Sequence, residues 1–365
     1  MASRIVRVGI VGCGEVAQTV HLPTFQLLSH LFKVTALCDV SPSFLKHCAT
    51  KFGIERTYSH VADLIKDDQV DLVMILTADE YHADCAVQAA DAGKHVLIEK
   101  PMALTHEDAQ KIIDAQERNK GVIFVGYMRR YAAAYEWFKE EVQKLKSISY
   151  VTVRDIIGLN SFFVEQSGSF PRAFNDFPAD ATFDRASRGK AIAEKALSAE
   201  RAASSRDVFT YRLLGSLGSH DLSAMRELLG VPKRCIAASR ASGDPSTFIT
   251  AMLEYDGFTA TYESGVDQVP DFDAHIEVIG DGKRLKLKYD TPYVKGLPIV
   301  IEIKEADENG HYVERAVRPT YKDAYTLQHE QLHAALTEGK PWKTTPQDAA
   351  EDLKIFDMIM SALVN

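Results

Sequence analysis

The spacing of apolar positions changes character along this chain. Arg4 to Val11 is apolar and β-branched, the pattern of a buried strand. Helical spacing runs from Glu15 to His30, with Pro23 bending or splitting it, because proline offers no N–H to the helix ladder. Val34 to Cys38 predicts a second strand, and Ser41-Pro42 predicts a capped helix start. The first third is completed by a strand at Asp71 to Leu76 and a helix at Tyr81 to Ala92 stopped by Gly93. A strand at His95 to Ile98, a Thr105-capped helix to about Asn119 and a strand at Val122 to Val125 follow. Strands alternating with helices predict a parallel sheet covered on both faces.

Beyond residue 126 the pattern differs. Ser149 to Ile157 alternates, and a loop rich in Phe, Ser, Gly and Pro leads to about Pro178. Ala179 to Ser205, dense in Ala, Lys, Arg and Glu, predicts a solvated helix and linker. Short strands then recur at Arg234 to Ser239, Phe248 to Glu254, Thr259 to Ser264, His275 to Ile279, Leu285 to Tyr289 and Ile299 to Ile303. Most lie beside Gly, Asp or Pro turns. Helices near Lys322 to Thr337 and Pro346 to Leu363 close the chain. The expected architecture is an α/β Rossmann domain over residues 1–126 and an α+β domain over 127–365. The second domain is built on a large, mainly antiparallel sheet, and the terminal helix is able to pack back on the first.

Composition narrows the function classes. With 365 residues, two domains are expected. A net charge of −9 argues against a nucleic-acid surface. Five cysteines without a Cys-x-x-Cys spacing argue against a disulfide framework or a cysteine zinc site. The chain offers no apolar run long enough to span a membrane, and its start carries no signal-peptide pattern. A cytoplasmic protein is the expectation.

Four places carry candidate chemistry. Gly12-Cys13-Gly14-Glu15-Val16-Ala17 is a Gly-x-Gly-x-x-Ala turn between a predicted strand and a predicted helix, the context a dinucleotide site requires. Gly12 permits the tight turn, Gly14 lets backbone approach a pyrophosphate, and Ala17 lets helix and strand pack closely. Asp39, 22 residues after Ala17, ends the second strand where a carboxylate accepts hydrogen bonds from ribose hydroxyls and repels a 2′-phosphate. No Arg or Lys follows it until Lys46, so NAD is expected over NADP. Glu99-Lys100-Pro101 places two charges where a strand leaves the core, at the edge where α/β sheets bind ligands. His220 opens a helical run and is a candidate general acid or base. A fifth pattern, His329-Glu330-Gln331-Leu332-His333, matches a zinc-peptidase spacing, but no third ligand is marked. An amphipathic surface helix satisfies it equally, and no metal is expected.

Taken in order, the segments Gly9 to Ala17, Cys38-Asp39-Val40, Ala92 to Pro101, Gly126 to Tyr131 and Gly218-Ser219-His220 resemble the glucose–fructose oxidoreductase / inositol dehydrogenase / MocA (Gfo/Idh/MocA) family. The resemblance implies a nicotinamide-dependent dehydrogenase. It would act on a secondary alcohol of a sugar, cyclitol or glycoside, with Lys100 as proton acceptor and donor and His220 beside it. It implies Glu99 near the nicotinamide ribose, Thr77, His82 and Arg129 at cofactor positions, and Tyr127, Asp155 and Ser216 as candidate substrate contacts. It also implies a homodimer or homotetramer formed through the second sheet. A trans-dihydrodiol dehydrogenase, an enzyme of transient oxidation, or a sensor that has lost catalysis would share these motifs.

One departure bears on chemistry. The family often pairs the histidine with an Asp four residues earlier, and here that position is Ser216, which cannot ionise to stabilise an imidazolium. Either His220 acts through hydrogen bonding alone, or another carboxylate such as Asp155 reaches it. Met128 stands where the family has asparagine.

Overall fold

The computed structural model describes residues 4–243 and 247–363. They form two compact units. The first holds residues up to Tyr127, with Ser167–Ala203 and Gln328–Ala350; the second holds Met128–Gln166, Ser204–Leu327 and the chain from Glu351. Among the described residues no helix is long and apolar enough to cross a membrane.

The first unit is a Rossmann fold. Strands β1 (Val6–Val11), β2 (Phe32–Cys38), β3 (Arg56–Tyr58), β4 (Leu72–Ile75), β5 (His95–Glu99) and β6 (Ile123–Gly126) make one sheet in the order β3-β2-β1-β4-β5-β6. All five pairings are parallel. The order reverses beside β1, so the crevice for a ligand opens at the carboxyl ends of β1 and β4. β4 is buried at every position, as a strand covered on both faces must be. The predicted caps form: Ser41 Oγ accepts the Phe44 N–H (3.1 Å), and Thr105 Oγ1 accepts that of Asp108 (3.0 Å). The helical run is split next to Pro23: a wide π-turn over Ala17–His21 gives way to helix Leu22–Leu27, whose first turn takes the proline.

The second unit carries an eight-stranded sheet. To β7 (Tyr150–Ile157) it adds β8 (Arg234–Arg240), β9 (Phe248–Glu254), β10 (Thr259–Val266), β11 (Phe272–Gly280), β12 (Lys283–Tyr289), β13 (Val300–Ala306) and β14 (Tyr312–Val317). The order is β14-β13-β12-β11-β7-β10-β9-β8, and every pair is antiparallel except β7 with β10. Along β7 burial alternates, which sets Val151, Val153, Asp155 and Ile157 on the covered face. Helices Ala133–Gln143 and Ser219–Leu229 pack on this sheet.

Several elements escape the apolar pattern. β3 and β14 expose most of their residues, so alternation is weak. Residues 179–205 form solvated helices as expected. Ion pairs Arg188–Asp84 (2.6 Å) and Lys195–Glu107 (2.7 Å) join this stretch to the first unit. Helix Ala324–Glu338 departs from the expected surface helix: His329 and His333 both turn inward and are buried.

Candidate functional site

The glycine turn is built as its sequence requires. Gly12 has φ +98°, and a Cβ there would lie 2.6 Å from the backbone oxygen of Leu76, so only glycine fits. A Cβ on Gly14 would meet nothing within 4 Å, which leaves open space over the turn. Asp39 clasps the turn from β2. Its Oδ2 accepts the Cys13 N–H (2.7 Å) and its Oδ1 accepts that of Ser41 (2.8 Å). Burial pushes the Asp39 carboxyl up, against the pull of these two hydrogen bonds. Across the crevice, Thr77 Oγ1 is buried without a hydrogen-bond partner among the described residues. An open cradle, a clasped carboxylate and an orphaned buried hydroxyl fit a dinucleotide. Glu15 is exposed at the helix start, with Gly14 and Val16 half-buried beside it.

At the end of β5, Glu99 is buried and Lys100 half-buried. Glu99 Oε1 meets His21 Nε2 (3.0 Å), Oε2 accepts the Lys100 N–H (3.1 Å), and His21 Nδ1 lies 3.1 Å from His329 Nε2. Burial opposes the Glu99 charge, but the His21 hydrogen bond and the charge of Lys100 hold the carboxyl below its usual range. The charged triplet is thus anchored by two fully buried histidines that residue spacing does not single out. His21 is a lone histidine in a helix. His329 shows only as half of a metal-like spacing, whose other half, His333, bonds the backbone oxygen of Arg4 (2.8 Å). His82 stands between two carbonyls, with Nδ1 2.8 Å from Pro101 O and Nε2 3.1 Å from Thr77 O. Both nitrogens face backbone, so His82 joins the loop after β4 to the peptide after Lys100 and positions Thr77.

In the second unit, Arg129 is buried and its Nη1 reaches Asp155 Oδ2 (3.0 Å) and Asp221 Oδ1 (2.5 Å). The guanidinium lies 4.7 Å over the Tyr289 ring. Burial, and then the charge of Asp155, push the Asp221 carboxyl well up despite Arg129. Among the described residues Asp155 Oδ1 and Asp221 Oδ2 have no donor, and a single proton on Asp221 would leave the trio with Arg129 neutral. Asp155 therefore turns to Arg129 and Asp221 rather than to His220. His220 is half-buried in the first turn of helix Ser219–Leu229, and Ser216 is exposed in the preceding π-turn. Gly218 is needed because a Cβ there would lie 2.5 Å from Tyr262 Oη.

The raised Asp221 carboxyl predicts a pH dependence. Folding binds a proton there above the ordinary carboxylate range, so this contribution to stability is full at low pH and declines as pH rises toward the folded value. Asp221→Asn, which mimics the protonated acid, should remove that decline. Melting temperatures from about pH 5 to about pH 8 should converge with, or overtake, wild type at the alkaline end. Parallel profiles would show that Asp221 is ionised in the folded protein.

Comparison with known proteins follows this geometry. Residues 6–127 match the model of the Gfo/Idh/MocA oxidoreductase family described as an NAD-binding Rossmann fold. Residues 209–363 match that family's C-terminal alpha/beta domain. The chain belongs to the Gfo/Idh/MocA oxidoreductase family.

Among Gfo/Idh/MocA relatives, the inositol 2-dehydrogenase of Salmonella typhimurium is 37% identical over 135 residues, covering 36% of this chain and 40% of that protein. The chain thus matches less than half the length of that enzyme. Inositol 2-dehydrogenase 2 of Saccharopolyspora erythraea is 24% identical over 342 residues, covering 91% of this chain and 84% of that one. Two solved structures share the fold. A 3-ketoreductase from Actinomadura kijaniata, in complex with NADP and TDP-benzene, has a TM-score of 0.74 at 18% identity, covering 99% of this chain and 98% of its own. An oxidoreductase from Thermotoga maritima has a TM-score of 0.73 at 20% identity, covering 98% and 97%.

For this Gfo/Idh/MocA chain, the first unit brings together Gly12, Cys13, Gly14, Asp39, Thr77, His82, Glu99 and Lys100 at the carboxyl edge of one parallel sheet. Tyr127 is buried at the end of that unit. Arg129, Asp155, Ser216 and His220 belong to the second unit.

Proposed function

We propose that this chain is an NAD-dependent oxidoreductase acting on a secondary alcohol of a sugar, cyclitol or glycoside. The carrying observation is that the open glycine cradle, the Asp39 carboxylate and Lys100 share one sheet edge. The substrate class is supported by relatives named as inositol dehydrogenases and by a structural neighbour named as a 3-ketoreductase.

The residues have distinct tasks. Backbone from Gly12 to Val16 holds the phosphates at a helix start. Asp39 accepts the ribose hydroxyls, Thr77 Oγ1 supplies a buried polar contact, and Glu99 stands toward the nicotinamide ribose. Bound NAD supplies the hydride acceptor. Lys100 Nζ takes the substrate hydroxyl proton on oxidation and returns it on reduction. His220 assists by hydrogen bonding, consistent with Ser in place of Asp at position 216. The test offers inositols, pyranosides and open-chain polyols with NAD and with NADP, and follows reduced nicotinamide by absorbance. Turnover of at least one cyclitol or sugar, faster with NAD, is expected. Tight NAD binding with no alcohol oxidised would overturn the enzyme in favour of a sensor.

A further inference from the structure

The loop before the solvated helices holds a second carboxylate against the helix start that follows Asp39. Residues Ser167–Ala203 belong to the first unit, and three fastenings hold their leading segment there. Gln18, fully buried, accepts the Arg172 N–H at Oε1 (2.9 Å). Its Nε2 donates to the carbonyls of Arg172 (3.0 Å) and Cys13 (3.0 Å), which ties the loop to the glycine turn itself. The Phe174 ring meets Phe44 edge-on at 5.1 Å. Asp176 then reaches the first turn of helix Pro42–Phe52, where Oδ1 accepts the Ser41 hydroxyl (2.5 Å) and Oδ2 the Ser43 N–H (3.0 Å).

Ser41 connects two carboxylates. Its backbone N–H bonds Asp39 and its hydroxyl bonds Asp176. Asp39 is the acid that faces the adenosine ribose in the function proposed for the chain. A phosphate on the adjacent 2′-oxygen needs donors or cations at that point, and the helix start after Asp39 offers N–H groups there. Asp176 already occupies it, and the hydrogen bonds from Ser41 and Ser43 hold its carboxyl below the usual range, which favours its negative charge. Lys51, in the last turn of the same helix, donates to the carbonyls of Ser169 and Phe170 and helps hold the loop in place. Arg172 is exposed and is the other cation of this segment.

We propose that Asp176 is a specificity-determining residue, which occupies the anion-accepting helix start beside Asp39 and so makes the adenosine end of the site take a 2′-hydroxyl and reject a 2′-phosphate. The assignment rests on the dinucleotide function proposed for the chain. It extends that reading from Asp39, a single carboxylate visible in the motif, to a pair completed by a loop residue 137 positions later.

Calorimetric titration of the full chain with NAD and with NADP tests it without requiring turnover. Asp176→Asn keeps an oxygen for the Ser43 N–H and removes only the charge, and Asp176→Ser is the second variant. Both should bind NADP about tenfold more tightly than wild type at low salt, with NAD affinity changed by less than about twofold. The NADP gain should shrink as salt is raised. Equal changes for the two dinucleotides, or no change in either variant, would overturn the role of Asp176. Wild-type protein that binds neither dinucleotide would overturn the dinucleotide site itself, and is read before any variant is made.

Discussion

Lys100→Ala should lower kcat by about 10²- to 10⁴-fold while changing NAD affinity far less. The residue leaves β5 at the carboxyl edge of the sheet, and its own N–H is held by Glu99 Oε2 at 3.1 Å. Glu99 in turn is held by His21, and His21 by His329, so the backbone that carries the ammonium is braced from within the core. The loss should therefore fall on proton transfer, with the scaffold intact. Lys100→Arg separates two ways the ammonium could act. Arginine keeps the positive charge but does not give up a proton at working pH. If Lys100 moves the proton, the arginine variant should be nearly as slow as alanine. If it only stabilises a developing alkoxide, arginine should recover much of the rate. Steady-state kinetics with the best substrate of the panel, alongside NAD titration, makes the measurement. Unchanged turnover in the alanine variant would remove Lys100 from the mechanism.

The second large effect is on stability. Arg129→Met should destabilise the protein by about 3–5 kcal/mol, because it removes the cation from two buried carboxyl groups and leaves their charge uncompensated. Asp155 is fully buried and Arg129 is nearly so, which leaves water no route to replace the lost partner. Adding Asp155→Asn to the Arg129 variant should recover a substantial part of the loss, since it removes the orphaned charge. The two substitutions will then be strongly non-additive. Urea unfolding of the two single variants and the double variant gives the coupling directly. Additive losses would mean that Arg129 contributes by packing on Tyr289 rather than by pairing with Asp155.

Much of the site could be read from residue order because backbone requirements leave local traces. Gly12 shows in the sequence because its φ and the nearby Leu76 carbonyl exclude every side chain. Asp39 shows because it ends a strand at a fixed distance from that turn. Lys100 shows because a charged pair interrupts an apolar run. The braces behind these residues left no such trace. His21, His329, Gln18 and Asp176 act across separations of 78, 308, 154 and 135 positions. No local period records such pairings. Asp155 was legible as an alternation position on β7 and as a candidate partner for His220, yet its burial beside Arg129 directs it elsewhere.

The amino-acid sequence by itself determined the family, the alternating first fold and the mainly antiparallel second sheet, and it singled out the glycine turn, Asp39 and Lys100 proposed for the dinucleotide edge. These depend on hydrophobic period, turn chemistry and short spacings, which act between neighbours along the chain. Only the tertiary structure decided which buried charges pair, that burial pushes the Asp221 carboxyl up, that two histidines stand behind Glu99, and that a loop carboxylate bonds the helix start after Asp39. Those outcomes depend on desolvation and on distances between segments remote in sequence. A charged residue's cost and its role are set by what the fold brings within a hydrogen bond of it.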